Sequence, residues 1–148
     1  MRCRGPGAER GTILFLFPAA VLIMFILGAI VIDVSLTQVR ARELEAVAES
    51  AASDALAALD IVALRNGEGF VIPEADAALR ARASVAAGPL PNAVVDLLRV
   101  DVDSQGRTIV AVTLSLTVDL VMAPGVGDLD QVTLTRTGRA TILGSELL

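Results

Sequence analysis

Ile13 to Ile32 reads ILFLFPAAVLIMFILGAIVI, twenty consecutive residues without a charge or a strongly polar group. At ~1.5 Å rise per residue a helix of that length spans about 30 Å, the thickness of a bilayer's hydrocarbon core. A chain of 148 residues has no core large enough to surround such a helix. The stretch is read as a transmembrane anchor. A cleaved signal peptide is the alternative, but those have apolar runs of roughly 7–15 residues ending in a small-x-small site. This run is longer, and Asp33-Val34-Ser35-Leu36 after it makes a poor site. The anchor is expected to be retained.

The arginines give the orientation. Arg2, Arg4 and Arg10 stand against Glu9 in residues 1–11, a basic tail ahead of the apolar run. Beyond the run, Arg40 and Arg42 are surrounded by Asp33, Glu43, Glu45 and Glu49. Positive flanks stay cytoplasmic, so the N-terminus is expected inside and the rest exported. Four residues in and beside the run are candidates for helix packing and interface contacts. Pro18 lacks an N–H and is expected to bend the helix. Gly28 and Ala29 form a smooth patch where another helix can come close; Gly and Pro are also simply common in membrane helices. Asp33 falls at the outer end, where a carboxylate facing lipid is costly. It either reaches the hydrated interface or pairs with an arginine of a neighbouring subunit.

Outward from the anchor, residues 36–66 continue as an amphipathic helix. Leu36, Val39, Leu44, Val47, Ala51, Ala55, Ala58 and Val62 recur mostly three or four apart, with Arg40, Arg42, Glu43, Glu45 and Glu49 between them. No Gly or Pro occurs between Gly28 and Gly67, so one rod is expected from Ile13 to about Leu64, on the order of 80 Å long. Asn66-Gly67-Glu68-Gly69 ends it. Pro73 to Ala87 reads as a second, short helix with acids in its first turn. The period then changes from helical to alternating. Strands are expected around Leu98–Val102, over Val110–Met122 and over Val132–Ile142, with a turn at Ser104–Arg107 and a loop at Ala123–Asp130. In the last strand Thr133, Thr135, Thr137, Arg139 and Thr141 make a polar face, Arg136 breaks the apolar one, and Gly138 is taken as a bulge. The fold class is α+β, a three-stranded antiparallel sheet whose apolar face needs a cover. The long helix is the candidate. Residues 67–148 make the extracytoplasmic domain, behind a tail (1–11), an anchor (12–35) and the amphipathic helix (36–66).

Composition narrows the chemistry. The chain has no Trp, Tyr or Lys, and all 12 basic residues are Arg, which resembles the codon bias of a GC-rich genome. The core must be built from Val, Leu, Ile and Ala, and is expected to be thin. There is no His, so the commonest general base and metal ligand are missing, and no serine triad is possible. Cys3 is the only cysteine and makes no internal disulfide; it is a cytoplasmic thiol or, alternatively, a palmitoylation site. Asp101-Val102-Asp103-Ser104-Gln105-Gly106 starts like a calcium loop, but Val112 stands where the bidentate Glu belongs. Gly125-Val126-Gly127 has no strand–loop–helix context for phosphate. The net charge of −5 hides no basic patch for nucleic acid. No enzyme, cofactor, metal or small-molecule substrate is expected.

Glu9-Arg10-Gly11 before the run, Pro18 within it, Asp33 after it and the alanine-rich Ala48–Ala58 segment together resemble the N-terminal part of the TadE/TadG-like proteins of tight-adherence (Flp-type) pilus assembly. The specific resemblance covers roughly residues 9–60. It implies a pilin-like layout and a pseudopilin-like, non-enzymatic part of a pilus or secretion apparatus in the bacterial cell membrane. Its partners would be other pilin-like or pilus-assembly proteins, or further copies of itself. Type IV prepilins carry a peptidase site with Glu at the fifth position after a Gly. Counted from Gly5, Gly7 and Gly11, that position holds Arg10, Thr12 and Leu16, so an unprocessed anchor is expected. The alternative is a membrane-tethered extracytoplasmic binding domain with no pilus role.

Overall fold

A computed structural model describes residues 10–67, 69–121 and 131–142. Cys3, most of the basic tail, Met122, and the Ala123–Asp130 loop with its Gly125-Val126-Gly127 lie outside the described residues. The order of elements is α1 (Arg10–Leu56), α2 (Ile61–Arg65), α3 (Glu74–Ala87), β1 (Val94–Val102), β2 (Thr108–Asp119) and β3 (Gln131–Ile142). The chain divides into two compact units, Met1–Leu36 with Leu120–Asp130, and Thr37–Asp119 with Gln131–Leu148. The α+β class expected from the sequence is the observed one.

In the second unit the strands pair antiparallel in the order β1-β2-β3. Alternation decides which side is which. Val110, Val112, Leu114 and Leu116 of β2 are buried, while Thr113, Ser115 and Thr117 point the other way. On that polar side, register partners bond across the strands. Thr113 Oγ1 lies 2.9 Å from Thr137 Oγ1, and Gln131 Nε2 donates to Asp119 Oδ1 at 2.9 Å.

The apolar side is covered by the outer part of α1. Ala41, Leu44, Val47, Ala48, Ala51, Ala52 and Ala55 are buried and recur at helical spacing, in one core with the β2 residues. Among the described residues the core contains only Ala, Val, Leu and Ile. The expected stripe holds at Leu44, Val47, Ala51, Ala55 and Ala58 and fails at both ends, since Val62, on the next helix, is 65% exposed. Leu36 and Val39 are 45% and 54% exposed, and Ala41, Ala48 and Ala52 belong to the buried face instead.

Alanine suits this face because of Gly138. A Cβ built there would overlap the carbonyl of Ala48 and the amide nitrogen of Glu49. The helix backbone therefore rests directly on β3. Gly138 does not mark a bulge, as expected from the sequence; it pairs in regular register with Val112. The irregularity lies in β1, between Val95 and Leu97, where Asp96 is the extra residue. Its carboxylate accepts a hydrogen bond from Ser115 Oγ at 3.0 Å.

α1 also ends earlier than expected, at Leu56 rather than Leu64, although no Gly or Pro stands there. The stop is made by Asp60, which caps α2. Asp60 Oδ1 accepts from Val62 N at 2.8 Å and Ala63 N at 3.2 Å, and its own N–H donates to Val71 O at 2.9 Å. A tertiary backbone bond and a side-chain cap thus replace the next turn of α1. α3 buries Ala77, Ala81 and Val85, one residue per turn, and packs against β1. Its first-turn acids Glu74 and Asp76 complement the helix dipole.

The expected turn after β1 is held by Asp103. Asp103 Oδ1 accepts from Gln105 N (2.8 Å) and Arg107 N (2.9 Å), and Oδ2 from Arg107 Nε (2.6 Å). Gly106 takes the left-handed conformation at φ 73°, which other residues rarely adopt. The bond from the Arg107 N–H, aided by its guanidinium and the Gln105 N–H, holds the Asp103 carboxyl below its ordinary range. That stabilisation is present above the ordinary carboxylate value and fades as pH falls through the depressed one. Asp103, the second carboxylate of the calcium-like stretch, is thus engaged by the turn itself.

Candidate functional site

The inner part of α1 has the composition of a lipid-facing segment and the exposure to match. An 18-residue stretch reaches a mean hydropathy of 2.6, and none of it is buried by the protein. Phe17, Met24 and Phe25 are each more than 70% exposed. A soluble helix of this size would bury such side chains, each contributing about 1.5–3 kcal/mol. The helix is therefore long and apolar enough to cross a membrane, and nothing in the described protein shields it from one.

The four positions singled out in the sequence all lie on α1. Helical structure continues through Pro18. Gly28 is exposed, and a Cβ there would meet nothing within 4 Å, so its side of the helix is open to a neighbour. Ala29 and Asp33 are one turn apart on one face. They are the only described residues from Leu16 to Leu36 that are partly covered. Ser35, just beyond, satisfies its hydroxyl within the helix by donating to Val31 O at 2.7 Å.

Asp33 is tied to a distant part of its own unit. Its Oδ1 accepts a hydrogen bond from the backbone N–H of Val121 at 3.1 Å. Val121 lies two residues past the end of β2, where the ladder no longer supplies a partner. Sequence reasoning found Asp33 but missed the bond, because a carboxylate at the end of an apolar run does not name a donor 88 residues away.

Outside the helix the described side chains offer little chemistry. Among the described residues, no three His, Cys, Asp or Glu side chains are grouped to hold a metal ion. An open cleft of about 610 Å³ lies at α2 and α3, lined among others by Asp60, Ile61, Asp76, Leu79 and Arg80. Its Asp60 carboxylate is occupied in capping α2. Comparison of the chain with protein-family profiles, curated proteins and solved structures gives no match.

Proposed function

We propose that this protein is a membrane-anchored, pseudopilin-like subunit of a Flp/Tad-type pilus assembly or secretion apparatus, without enzymatic activity. The N-terminus lies in the cytoplasm and the sheet domain outside the bacterial cell membrane. The observation that carries the reading is one continuous helix with two kinds of surface. Its inner part exposes large apolar side chains, and its outer part is an alanine stripe laid on a three-stranded antiparallel sheet. The Arg-Gly, Pro18, Asp33 and Ala48–Ala58 pattern supports the same reading from the sequence. Open space at Gly28 supports contact with like helices.

The test uses the chain's single natural cysteine, Cys3, replaced by Ser so that a Gly28→Cys thiol stands alone. Oxidative crosslinking in native membranes is expected to trap small pilin-like membrane proteins, or a second copy of the chain, identified by mass spectrometry. Crosslinks to none of these would leave a tethered extracytoplasmic binding domain as the better reading. The intact mass in the same membranes checks processing, and the full-length mass is expected.

A further inference from the structure

We propose that the segment leaving β2, Leu120-Val121, is a second membrane contact, held in the outer headgroup region by Asp33. The proposal rests on the anchor reading above. Asp33 directly follows the last residue of the twenty-residue apolar run, so it marks the boundary where hydrocarbon gives way to headgroups. Each headgroup layer is roughly 5–8 Å thick, half of what remains when the hydrocarbon core is subtracted from the whole bilayer. The Val121 nitrogen is 3.1 Å from the Asp33 carboxylate. One short side chain and one hydrogen bond therefore separate Val121 from the helix at the boundary, a reach that stays inside the headgroup layer.

The side chains suit that place. Val121 is 63% exposed, and Leu120 is only partly covered. Val34, beside Asp33 on the helix, is half exposed as well. An apolar side chain in the interface removes its surface from water without crossing the membrane. The sequence after Val121 carries no charge until Asp128, so nothing in the composition opposes contact with lipid. The hydrogen bond also accounts for Asp33. Its carboxylate accepts a backbone N–H of its own chain at the depth where the hydrocarbon ends and a carboxylate facing lipid is costly.

The chain has no Trp, so an introduced one reports alone. Val121→Trp keeps the N–H that Asp33 binds. The full-length variant is placed in phosphatidylcholine–phosphatidylglycerol vesicles carrying a spin label either at the top of the acyl chain or near its end. Blue-shifted emission, quenched more by the shallow label than by the deep one, is the expected result. Adding Asp33→Ala should return the emission to that of a water-exposed Trp, whereas Asp33→Asn, which keeps an acceptor oxygen, should preserve the quenching. A separate Leu22→Trp variant reads the anchor itself and should be quenched best by the deep label. If Leu22→Trp is quenched and Val121→Trp is not, the second contact is wrong and the anchor stands. If Leu22→Trp is not quenched either, the anchor reading falls and takes this proposal with it. Quenching of Val121→Trp that survives Asp33→Ala would overturn the role given to Asp33.

Discussion

The inner and outer parts of α1 share one backbone and obey opposite rules. Between Leu16 and Ile32 the helix carries Phe, Met, Leu and Ile, nearly all exposed. Between Ala41 and Ala55 it is richest in alanine, and its alanine face is buried. Size and burial therefore run mostly in opposite directions, with Leu44 and Val47 the larger side chains of the buried face. Where β3 approaches to backbone contact, at Gly138 against Ala48, there is room only for a small side chain. Small ones contribute little surface to lipid. The difference shows a protein surface covering one part and large apolar side chains left exposed on the other, which the proposed anchor reading assigns to hydrocarbon.

The largest effect should come from closing the backbone contact in the outer part. Gly138→Val would push a branched side chain into the Ala48 carbonyl and the Glu49 amide. Overpacking usually costs about 1–3 kcal/mol, and occasionally more when backbone must yield. Because the clash is with helix backbone on one side and a paired strand on the other, a loss of about 3 kcal/mol or more is expected in denaturant unfolding. A stability equal to that of the unsubstituted protein would break the claim that α1 rests directly on β3.

The next effect compares like with like. Leu44 is fully buried, and Leu22 is 61% exposed on the same helix. Leu44→Ala should cost about 2–5 kcal/mol by leaving a cavity in a close-packed core. Leu22→Ala should leave the unfolding of the sheet domain unchanged, because the side chain at that position is not packed in the protein core. Equal losses at both sites would mean that the inner part is buried by protein, and the division of the helix would fail.

Much of this was legible in the sequence. The apolar run, the alternation from Val110 and the turn at Ser104–Arg107 each depend on local pattern, and each stands in the fold, although β2 ends at Asp119, before Leu120 and Val121 of the expected strand. The positions that misled depend on contacts across the chain. Gly138 looked like a bulge because glycine in a strand has two common causes, and only the position of Ala48 separates them. Ala41, Ala48 and Ala52 carry no mark of the buried face in the sequence, because alanine is neutral on both faces of a helix until its neighbour is known. The early end of α1 was invisible because its cause includes the Val71 carbonyl, eleven residues beyond Asp60. At the candidate site, Asp33 could be picked out as a misplaced charge, but its donor is a backbone N–H, which no side-chain motif encodes.

That early end supplies the smallest and sharpest test of where the protein-facing part of α1 stops. Asp60 receives two N–H groups of α2 through one carboxylate oxygen. Asp60→Ala removes both bonds and should cost about 1 kcal/mol, the usual price of a lost N-cap. Asp60→Asn keeps the acceptor and should cost almost nothing. The backbone bond from residue 60 to Val71 survives either change, so α1 should still end near Leu56. Amide hydrogen exchange can read this directly. Protection is expected to fall over Val62 and Ala63 in the alanine variant and to stay constant over Ala48–Ala55. If loss of the cap instead extends protection continuously from Ala55 to Leu64, the side chain alone stops the helix. The tertiary bond to Val71 would then be a consequence of the break rather than part of its cause.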